Sequence, residues 1–326
     1  MTDEHSRGPL DVRHDSDRAV SVAASDVELM RYVYRPDEAP YESPKPYVHP
    51  LRTLGGRLVT VFRPWDHVWH KGICLALPVV GADNFWGGPS YRRSVDGYID
   101  LPNNGSQDHD RMSEIVQRDG MAIIRHELVW RRQPLDPDSV GVSAFVESRA
   151  LTTSLLPEGD AWALGWSTRL TNVSGEPIAM GSPTTEGREN AGYGGLFWRG
   201  PRSFTGGDVI GSKGTSGEDV RGTRGAWAGF SGRHDGEDGA STVLIVDRTT
   251  DQDLDTKWFA RSDPFACLNP APFFDRVRVV QPGESIELRY TALIADGASD
   301  ASRMSALATS AFVAAERADA VAEEVR

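Results

Sequence analysis

The chain has 326 residues, of which 39% are hydrophobic and 25% charged, and its formal net charge is −12. This composition is typical of a globular protein with enough apolar residues for a sizeable core. The longest apolar runs are far shorter than the roughly 20 residues that cross a bilayer, which excludes a membrane-spanning helix and a membrane partner. Acidic residues outnumber Lys and Arg by 47 to 35, and the cations form no cluster, so we expect no nucleic-acid partner.

Residues 1–18 are polar and carry charges of both signs, which predicts a disordered N-terminal tail. The same residues lack the apolar segment of a secretory signal, so we expect a cytoplasmic protein. The two cysteines, Cys74 and Cys267, form no CxxC pair, which disfavours both a disulfide framework and a thiolate zinc site. We expect both thiols to be reduced and unpaired.

Alternating hydrophobicity, the period of a β-strand, dominates residues 19–297. Met121–Trp130 is the clearest example, and Arg276–Ile294 is typical of a β-hairpin. Helical periodicity is confined to the Ala-rich residues 298–326. We therefore predict an all-β fold, in which one large antiparallel β-sandwich over residues 19–297 is followed by a C-terminal helix over residues 298–326.

Histidine, tryptophan and aspartate are concentrated in residues 63–72. His67 and His70 lie three positions apart with Asp66 beside them, so a turn would bring the two rings together. Such a pair can act as acid and base, bond a sugar hydroxyl, or contribute two ligands to a metal ion. No HExxH-type pattern supplies a further ligand, so we predict neither a metal site nor a cofactor. The alternative is two loop histidines that bond only to backbone carbonyls.

Two aromatic, glycine-rich segments provide further candidates. In the NFWGGP segment, Trp86 can stack on the apolar face of a sugar ring, and the alternative is a tight turn anchored by this tryptophan. Within residues 182–199, a loop can place Arg188 and Tyr193 over a ligand, and the alternative is an irregular loop with exposed charges. The glycines there lack the Lys-Ser/Thr of a phosphate-binding loop. We predict that Trp86, Arg188, Tyr193 and Trp198 bind substrate.

A charged pair occupies an otherwise apolar strand face. Glu147 and Arg149 share this face with Phe145 and Leu151. A carboxylate among apolar side chains needs a partner if it is buried. One interpretation is a structural ion pair, and the other is a general acid or base in a cleft. We carry Glu147 as a catalytic candidate beside His67 and His70, and Arg149 as a substrate-binding candidate.

Several segments together resemble a known protein family. They are PYVHPLRT (46–53), DHVWHKG (66–72), NFWGG (84–88), AGYGGLFWRGP (191–201) and the region from QPGE to ADG (281–297). This combination resembles the DUF6807 family, often labelled PmoA-type, over about residues 30–297. The label suggests a methane oxygenase subunit, an integral membrane metalloprotein, and we reject that literal meaning because the chain has no membrane segment.

The resemblance has further implications for fold and site. The family is similar to sugar-acting proteins of the galactose-mutarotase type, which implies a β-supersandwich and a carbohydrate-related role. On this resemblance His67, His70, Arg188 and Tyr193 fall in the family's motif positions, without assigned roles.

The sequence thus predicts a carbohydrate-active enzyme with acid–base chemistry near the anomeric carbon. The leading hypothesis for the reaction is glycosidic cleavage by hydrolysis or elimination, including cleavage of a keto-glycoside. His70 is the first choice for proton transfer, and Glu147 is its counterpart. One alternative is a mutarotase or sugar epimerase. Another is a non-catalytic sugar-binding or sensing protein, and a His–carboxylate pair about 5–9 Å apart across a pocket would favour catalysis over it. The expected partner is a small sugar or glycoside, and a homo-oligomer is left open.

Overall fold

The computed structural model of the chain describes residues 10–134, 136, 138–157 and 159–323. These residues form β-strands, four short 3-10 helices (Pro40–Glu42, Arg93–Val95, Arg202–Phe204 and Gly217–Val220) and one α-helix, α1 (Ala301–Glu323). The strands in chain order are β1 (Leu10–Asp15), β2 (Ala19–Ala24), β3 (Val27–Val33), β4 (Tyr47–Leu51), β5 (Ile73–Val80), β6 (Asp83–Phe85), β7 (Ser90–Arg92), β8 (Gly97–Ile99), β9 (Ser106–Arg118), β10 (Met121–Arg131), β11 (Ser143–Leu155), β12 (Ala161–Asn172), β13 (Ile178–Gly181), β14 (Gly195–Arg199), β15 (Asp208–Gly211), β16 (Trp227–Arg233), β17 (Ala240–Asp247), β18 (Lys257–Arg261), β19 (Cys267–Ala271), β20 (Arg278–Val280) and β21 (Ser285–Asp296).

Two large sheets contain nearly all of these strands. Sheet A has the order β1-β2-β3-β4-β5-β14-β19-β18, with β6, β13 and β20 attached beside β5. Sheet B has the order β15-β16-β17-β21-β12-β11-β10-β9. The pairings between these strands are antiparallel. The predicted all-β antiparallel sandwich is confirmed.

The main hydrophobic core lies between sheets A and B. In β12, Trp162, Leu164 and Trp166 point into this core, whereas Ala161 and Ala163 lie on the outer face of sheet B. The alternation follows from the two-residue period of a strand, in which successive side chains point to opposite faces. Each sheet therefore has a core face and an outer face, and the two outer faces meet different surroundings.

The C-terminal helix α1 covers the outer face of sheet B. Met304, Leu307 and Ala311 of the helix pack against apolar residues of β12, β17 and β21. Asp300 caps the helix, because its carboxylate accepts a hydrogen bond of 2.9 Å from the backbone N–H of Arg303. The predicted C-terminal helix is confirmed, and residues 324–326 lie outside the described part of the chain.

In the part of the chain that the structure describes, no helix combines the length and the apolar character needed to cross a membrane.

The predicted disordered tail over residues 1–18 is wrong for residues 10–18. Leu10–Asp15 forms β1 and pairs with β2 from Leu10 opposite Ala24 to Asp15 opposite Ala19. The polar sequence hides this strand because β1 lies at the edge of sheet A, and only Leu10 and Val12 pack against the main core. Backbone hydrogen bonds to the neighbouring strand hold β1 in place, so this strand forms without the hydrophobic alternation that would have revealed it in the sequence. Residues 1–9 lie outside the described residues.

The outer face of sheet A carries a second apolar cluster, which forms the base of the candidate site. In β14, Leu196 and Trp198 face the main core, whereas Phe197 points outward into this cluster. Phe259 of β18 belongs to the same outer cluster, together with Trp86 from the loop that follows β6.

Candidate functional site

A pocket with a volume of about 390 Å³ opens on the outer face of sheet A. This volume lies within the usual range of small-molecule sites, and the wall combines aromatic rings with a few polar side chains, as such sites commonly do. Five residues predicted from the sequence line it together: His67, His70, Trp86, Arg188 and Tyr193. Three separate chain segments therefore converge on one pocket, and the roles of these residues stay predictions.

Two successive turns bring His67 and His70 side by side. The backbone N–H of His67 donates to the carbonyl of Pro64, and that of His70 donates to the carbonyl of His67, both at 2.9 Å. Their rings stack with centres 4.7 Å apart and planes 14° from parallel. The spacing of three residues therefore brings the two rings together because the chain turns between them.

Asp66 fixes the hydrogen-bonding state of His67. The Asp66 carboxylate lies 2.7 Å from Nδ1 of His67 and also accepts hydrogen bonds from Arg199 and Arg202. Burial raises the pKa of Asp66, but the hydrogen bond from His67 and the contacts with its own backbone and both arginines lower it far more. An ionised carboxylate only accepts, so His67 carries its proton on Nδ1 and presents the Nε2 lone pair to a ligand.

Arg199 fixes His70 in the opposite state. This buried arginine of β14 donates a hydrogen bond of 2.9 Å from Nη1 to Nδ1 of His70. Arginine has no acceptor atom, so Nδ1 of His70 carries the lone pair and Nε2 carries the proton. Burial, followed by the charge of Arg199, lowers the pKa of His70 well below its usual value. His70 is therefore a neutral hydrogen-bond donor.

The pocket thus contains one imidazole acceptor and one imidazole donor. Burial also lowers the pKa of His67, against the hydrogen bond from Asp66 that raises it. His67 is consequently neutral at pH 7 and can accept a proton at Nε2. The lone pair at Nδ1 of His70 is bonded to Arg199, so of the two roles predicted for His70, proton donor and proton acceptor, this contact leaves the donor role at Nε2.

The loop after β6 holds Trp86 against the histidines. The side-chain oxygen of Asn84 accepts hydrogen bonds from the backbone N–H groups of Trp86 and Gly87, at 2.8 and 3.0 Å. Gly87 has φ +100°, and a Cβ there would lie 2.6 Å from Cβ of Trp69, so both conformation and space require glycine. The Trp86 ring centre lies 5.6 Å from that of His70.

The opposite end of the pocket is built around Tyr193. The ring centres of Tyr193 and Trp86 are 4.6 Å apart, and the Tyr193 hydroxyl lies 2.8 Å from that of Tyr98. Arg188 donates a hydrogen bond to the Tyr98 hydroxyl and lies over the Tyr98 ring. Burial raises the pKa of Tyr193 well above its usual value, so its hydroxyl can serve as a neutral hydrogen-bonding group.

Glu147 and Arg149 do not line this pocket, and their predicted catalytic and substrate-binding roles are corrected. They lie on the core face of sheet B with side chains that are 0% exposed. Nε of Arg149 donates to Glu147 at 2.7 Å, and the indole N–H of Trp130 donates to the same carboxylate at 2.7 Å. The shared strand face was correctly predicted, but this face meets the core, so the structural ion pair is the correct interpretation.

Trp198 is also removed from the predicted substrate-binding set. It is fully buried in the main core, and its indole N–H donates to the carbonyl of Val59 at 2.8 Å. Its neighbour Phe197 lines the pocket instead, because adjacent residues of β14 point to opposite faces.

Sequence reasoning missed several residues of the pocket wall, namely Trp69, Tyr98, Phe197, Phe259, Arg261 and Phe265. Alternation pairs Phe259 with Arg261 on one face of β18, but it does not reveal that this face borders a pocket. Arg199 was missed as well, although it shares the outward face of β14 with Phe197.

No carboxylate belongs to the pocket lining among the described residues. Over the same part of the chain, no three His, Cys, Asp or Glu side chains lie together in a position to hold a metal ion. The residues available to a ligand are therefore imidazoles, tyrosine hydroxyls, arginines and aromatic rings.

The chain belongs to DUF6807, a family of unknown function whose model matches residues 19–309. No curated protein matches the sequence.

Solved structures that resemble the chain include a Klebsiella pneumoniae protein described as an aldose 1-epimerase, with 8% identity, a TM-score of 0.44 and coverage of 89% of this chain and 82% of that chain. The GH36 α-galactosidase AgaB from Geobacillus stearothermophilus has 12% identity, a TM-score of 0.42 and coverage of 88% and 41%. A mutant heparan sulfate lyase HepC from Pedobacter heparinus has 8% identity, a TM-score of 0.37 and coverage of 90% and 36%. The chain thus spans less than half the length of the last two proteins.

Proposed function

We propose that this protein is an enzyme that binds a carbonyl-bearing sugar and removes a proton from the carbon next to the carbonyl. The observation that carries this proposal is the pairing of two neutral imidazoles with opposite hydrogen-bonding character. His67 offers a lone pair that Asp66 orients, and His70 offers an N–H that Arg199 fixes. A carbonyl acidifies the neighbouring C–H bond, so one base and one donor suffice for this chemistry.

The proton transfer follows from these states. The proton moves from carbon to Nε2 of His67, and the C–H electron pair forms an enolate whose charge lies on the carbonyl oxygen. The Nε2–H of His70 donates a hydrogen bond to this oxygen as the charge develops. The Asp66 carboxylate stabilises the imidazolium that forms at His67, since it accepts a hydrogen bond from the Nδ1–H in both states.

Two outcomes can follow from the enolate. If a glycosidic oxygen lies β to the carbonyl, the electron pair expels it, the C–O bond breaks, and the leaving oxygen takes the proton from His67. This is cleavage by elimination, which consumes no water. If no leaving group is present, protonation of the opposite face by water gives an epimer, and the hydroxide that remains takes the proton from His67. We propose elimination from a keto-glycoside as the reaction and epimerisation as the alternative.

Binding of a sugar is supported by the pocket walls. The rings of Trp86, Tyr193 and Phe197 form a contiguous aromatic surface, with Trp86 4.6 Å from Tyr193 and 4.7 Å from Phe197. Such surfaces pack on the apolar C–H faces of sugar rings, while hydroxyl and imidazole groups bond the sugar hydroxyls. Hydrolysis by a pair of carboxylates is disfavoured, because the described lining contains none.

Deuterium exchange tests the proposal. Purified protein is incubated in D₂O with neutral and acidic methyl glycosides and their 3-keto derivatives, and NMR follows exchange at the carbon beside the carbonyl and release of methanol. We expect exchange or cleavage of a keto derivative. His67→Gln should slow it about 10²- to 10⁴-fold, the usual contribution of a positioned base. Trp86→Ala should raise KM more than it lowers kcat, since stacking stabilises ground and transition states alike.

His14→Gln is the matched control, since His14 is exposed and does not line the pocket. Unchanged exchange in His67→Gln would contradict the assignment of the base. Binding of the panel without exchange or cleavage would instead identify a non-catalytic sugar-binding protein.

A further inference from the structure

Two arginines of the pocket wall, Arg188 and Arg261, differ from the two other arginines near the site. Arg199 and Arg202 both contact the Asp66 carboxylate. Arg188 and Arg261 line the pocket, and among the described residues neither forms an ion pair with an acidic side chain. Arg188 donates a hydrogen bond to the Tyr98 hydroxyl, and its guanidinium carbon lies 4.9 Å from the Tyr98 ring centre.

Arg261 has an unsatisfied polar atom. Its guanidinium carbon lies 5.3 Å from the ring centre of Phe259, and its Nε is buried without a hydrogen-bond partner in the described structure. Glu218 is close enough to influence Arg261, but its carboxylate accepts a hydrogen bond from Arg221. Burial lowers the pKa of Arg261, with the charge of Arg221 adding to this effect. A half-buried guanidinium in this state favours an incoming anion.

Both arginines act at the same end of the pocket. Arg188 contacts Tyr98, whose hydroxyl lies 2.8 Å from that of Tyr193. Arg261 lies beside Phe259, whose ring centre is 5.5 Å from that of Tyr193. Trp86 separates this end from the histidines, since its ring contacts both Tyr193 and His70. The pocket thus has an imidazole end at His67 and His70 and two guanidinium groups around Tyr193, in a protein whose net charge is −12. The charge of Arg261 reaches His67 as well, since it lowers the pKa of this histidine.

We propose that the substrate is an anionic sugar whose carboxylate or phosphate group is bound by Arg188 and Arg261. This inference rests on the proposed function, because it assigns the other end of the same sugar. Guanidinium groups suit both oxyanions, since their N–H donors can pair with two oxygen atoms at once. The imidazole end then receives the reacting carbons, and the anion sets the orientation of the ring in the pocket.

Calorimetric titration with three probes tests the anion site. Glucose, glucuronate and glucose 6-phosphate are titrated at low and high salt into the wild-type protein, Arg188→Gln and Arg261→Gln. We expect at least one anionic probe to bind about tenfold or more tightly than glucose, and high salt to reduce this preference. Each Gln variant should weaken binding of this probe about ten- to a hundredfold and weaken glucose binding much less. The tighter anionic probe distinguishes carboxylate from phosphate.

Two further variants make the result specific. Arg261→Lys keeps the charge and should restore part of the affinity, which a purely structural role of the arginine would not predict. Arg233→Gln is the matched control, because Arg233 is an exposed arginine outside the pocket lining.

Equal affinity for glucose and both anions would overturn the anion site and leave the proposed function standing. Equal weakening of all three probes in Arg188→Gln and Arg261→Gln would also overturn it. Absence of binding by every probe would overturn this inference, whereas the proposed function would fail only if the keto-glycosides also showed neither exchange nor cleavage.

Discussion

Replacement of Arg149 by methionine is expected to destabilise the fold severely. The substitution keeps much of the aliphatic volume but removes the cation from a pair whose side chains are both 0% exposed. Glu147 would lose the two hydrogen bonds from Arg149, at 2.7 and 2.8 Å, and keep only those from Trp130 and Thr168. A buried carboxylate without its counter-ion is the main source of the expected loss.

The magnitude follows from burial. Breaking a buried pair by removal of one partner usually costs about 3–5 kcal/mol, and Arg149 also donates to Gln107 at 3.0 Å, an acceptor that would lose its partner. The double variant Glu147→Gln/Arg149→Met should recover part of this loss, because no uncompensated charge remains. Arg169→Met is the matched control on β12, since its pair with Glu287 is 59% and 36% exposed and should contribute less than about 1 kcal/mol.

Urea unfolding, followed by tryptophan fluorescence and circular dichroism, measures these differences in the free energy of unfolding. A loss below about 1 kcal/mol for Arg149→Met would refute the reasoning from burial. A loss in Arg169→Met as large as that in Arg149→Met would do so too, because exposure would then make no difference.

The remaining predictions concern titration and thiol reactivity. Because the pKa of His67 is lowered, protonation occurs below the usual histidine value of about 6.5, so turnover should be constant near pH 7 and fall as pH drops further. NMR titration of the ring checks this, and a midpoint above pH 7 would contradict the assignment. Cys74 and Cys267 are free and buried, and burial raises the pKa of Cys267 to about 12. Thiol reagents should therefore react slowly with the native protein. After unfolding without reductant, they should react with both cysteines.

Local patterns were sufficient to predict the class of fold. Alternation along Met121–Trp130 reports a strand, since the two-residue period is a property of the extended backbone itself. The spacing of His67 and His70 likewise predicted that their rings would meet if the chain turned between them, and the two rings are stacked. The polar strand β1 was missed because its stability comes from pairing with β2 at a sheet edge.

The same local patterns could not distinguish a core from a pocket. Phe145, Glu147, Arg149 and Leu151 share one face in the sequence and in the structure, yet the sequence could not tell whether this face meets a cleft or sheet A. In β14, Phe197 and Trp198 are adjacent in the sequence, but Phe197 points into the outer cluster and Trp198 points into the main core.

The sequence by itself predicted the dominance of antiparallel β-strands and the C-terminal helix, because the period of a strand or a helix depends on residues close together in the chain. It left open whether a turn joins the two histidines. The tertiary structure alone decided the chemistry of the pocket. The state of His70 depends on Arg199, which follows it by 129 positions, and Arg188 and Arg261 line one pocket with Tyr193 only after separate segments have packed on sheet A. Such contacts arise from the stacking of sheets and the closure of long loops, and the period of a single strand carries no information about either.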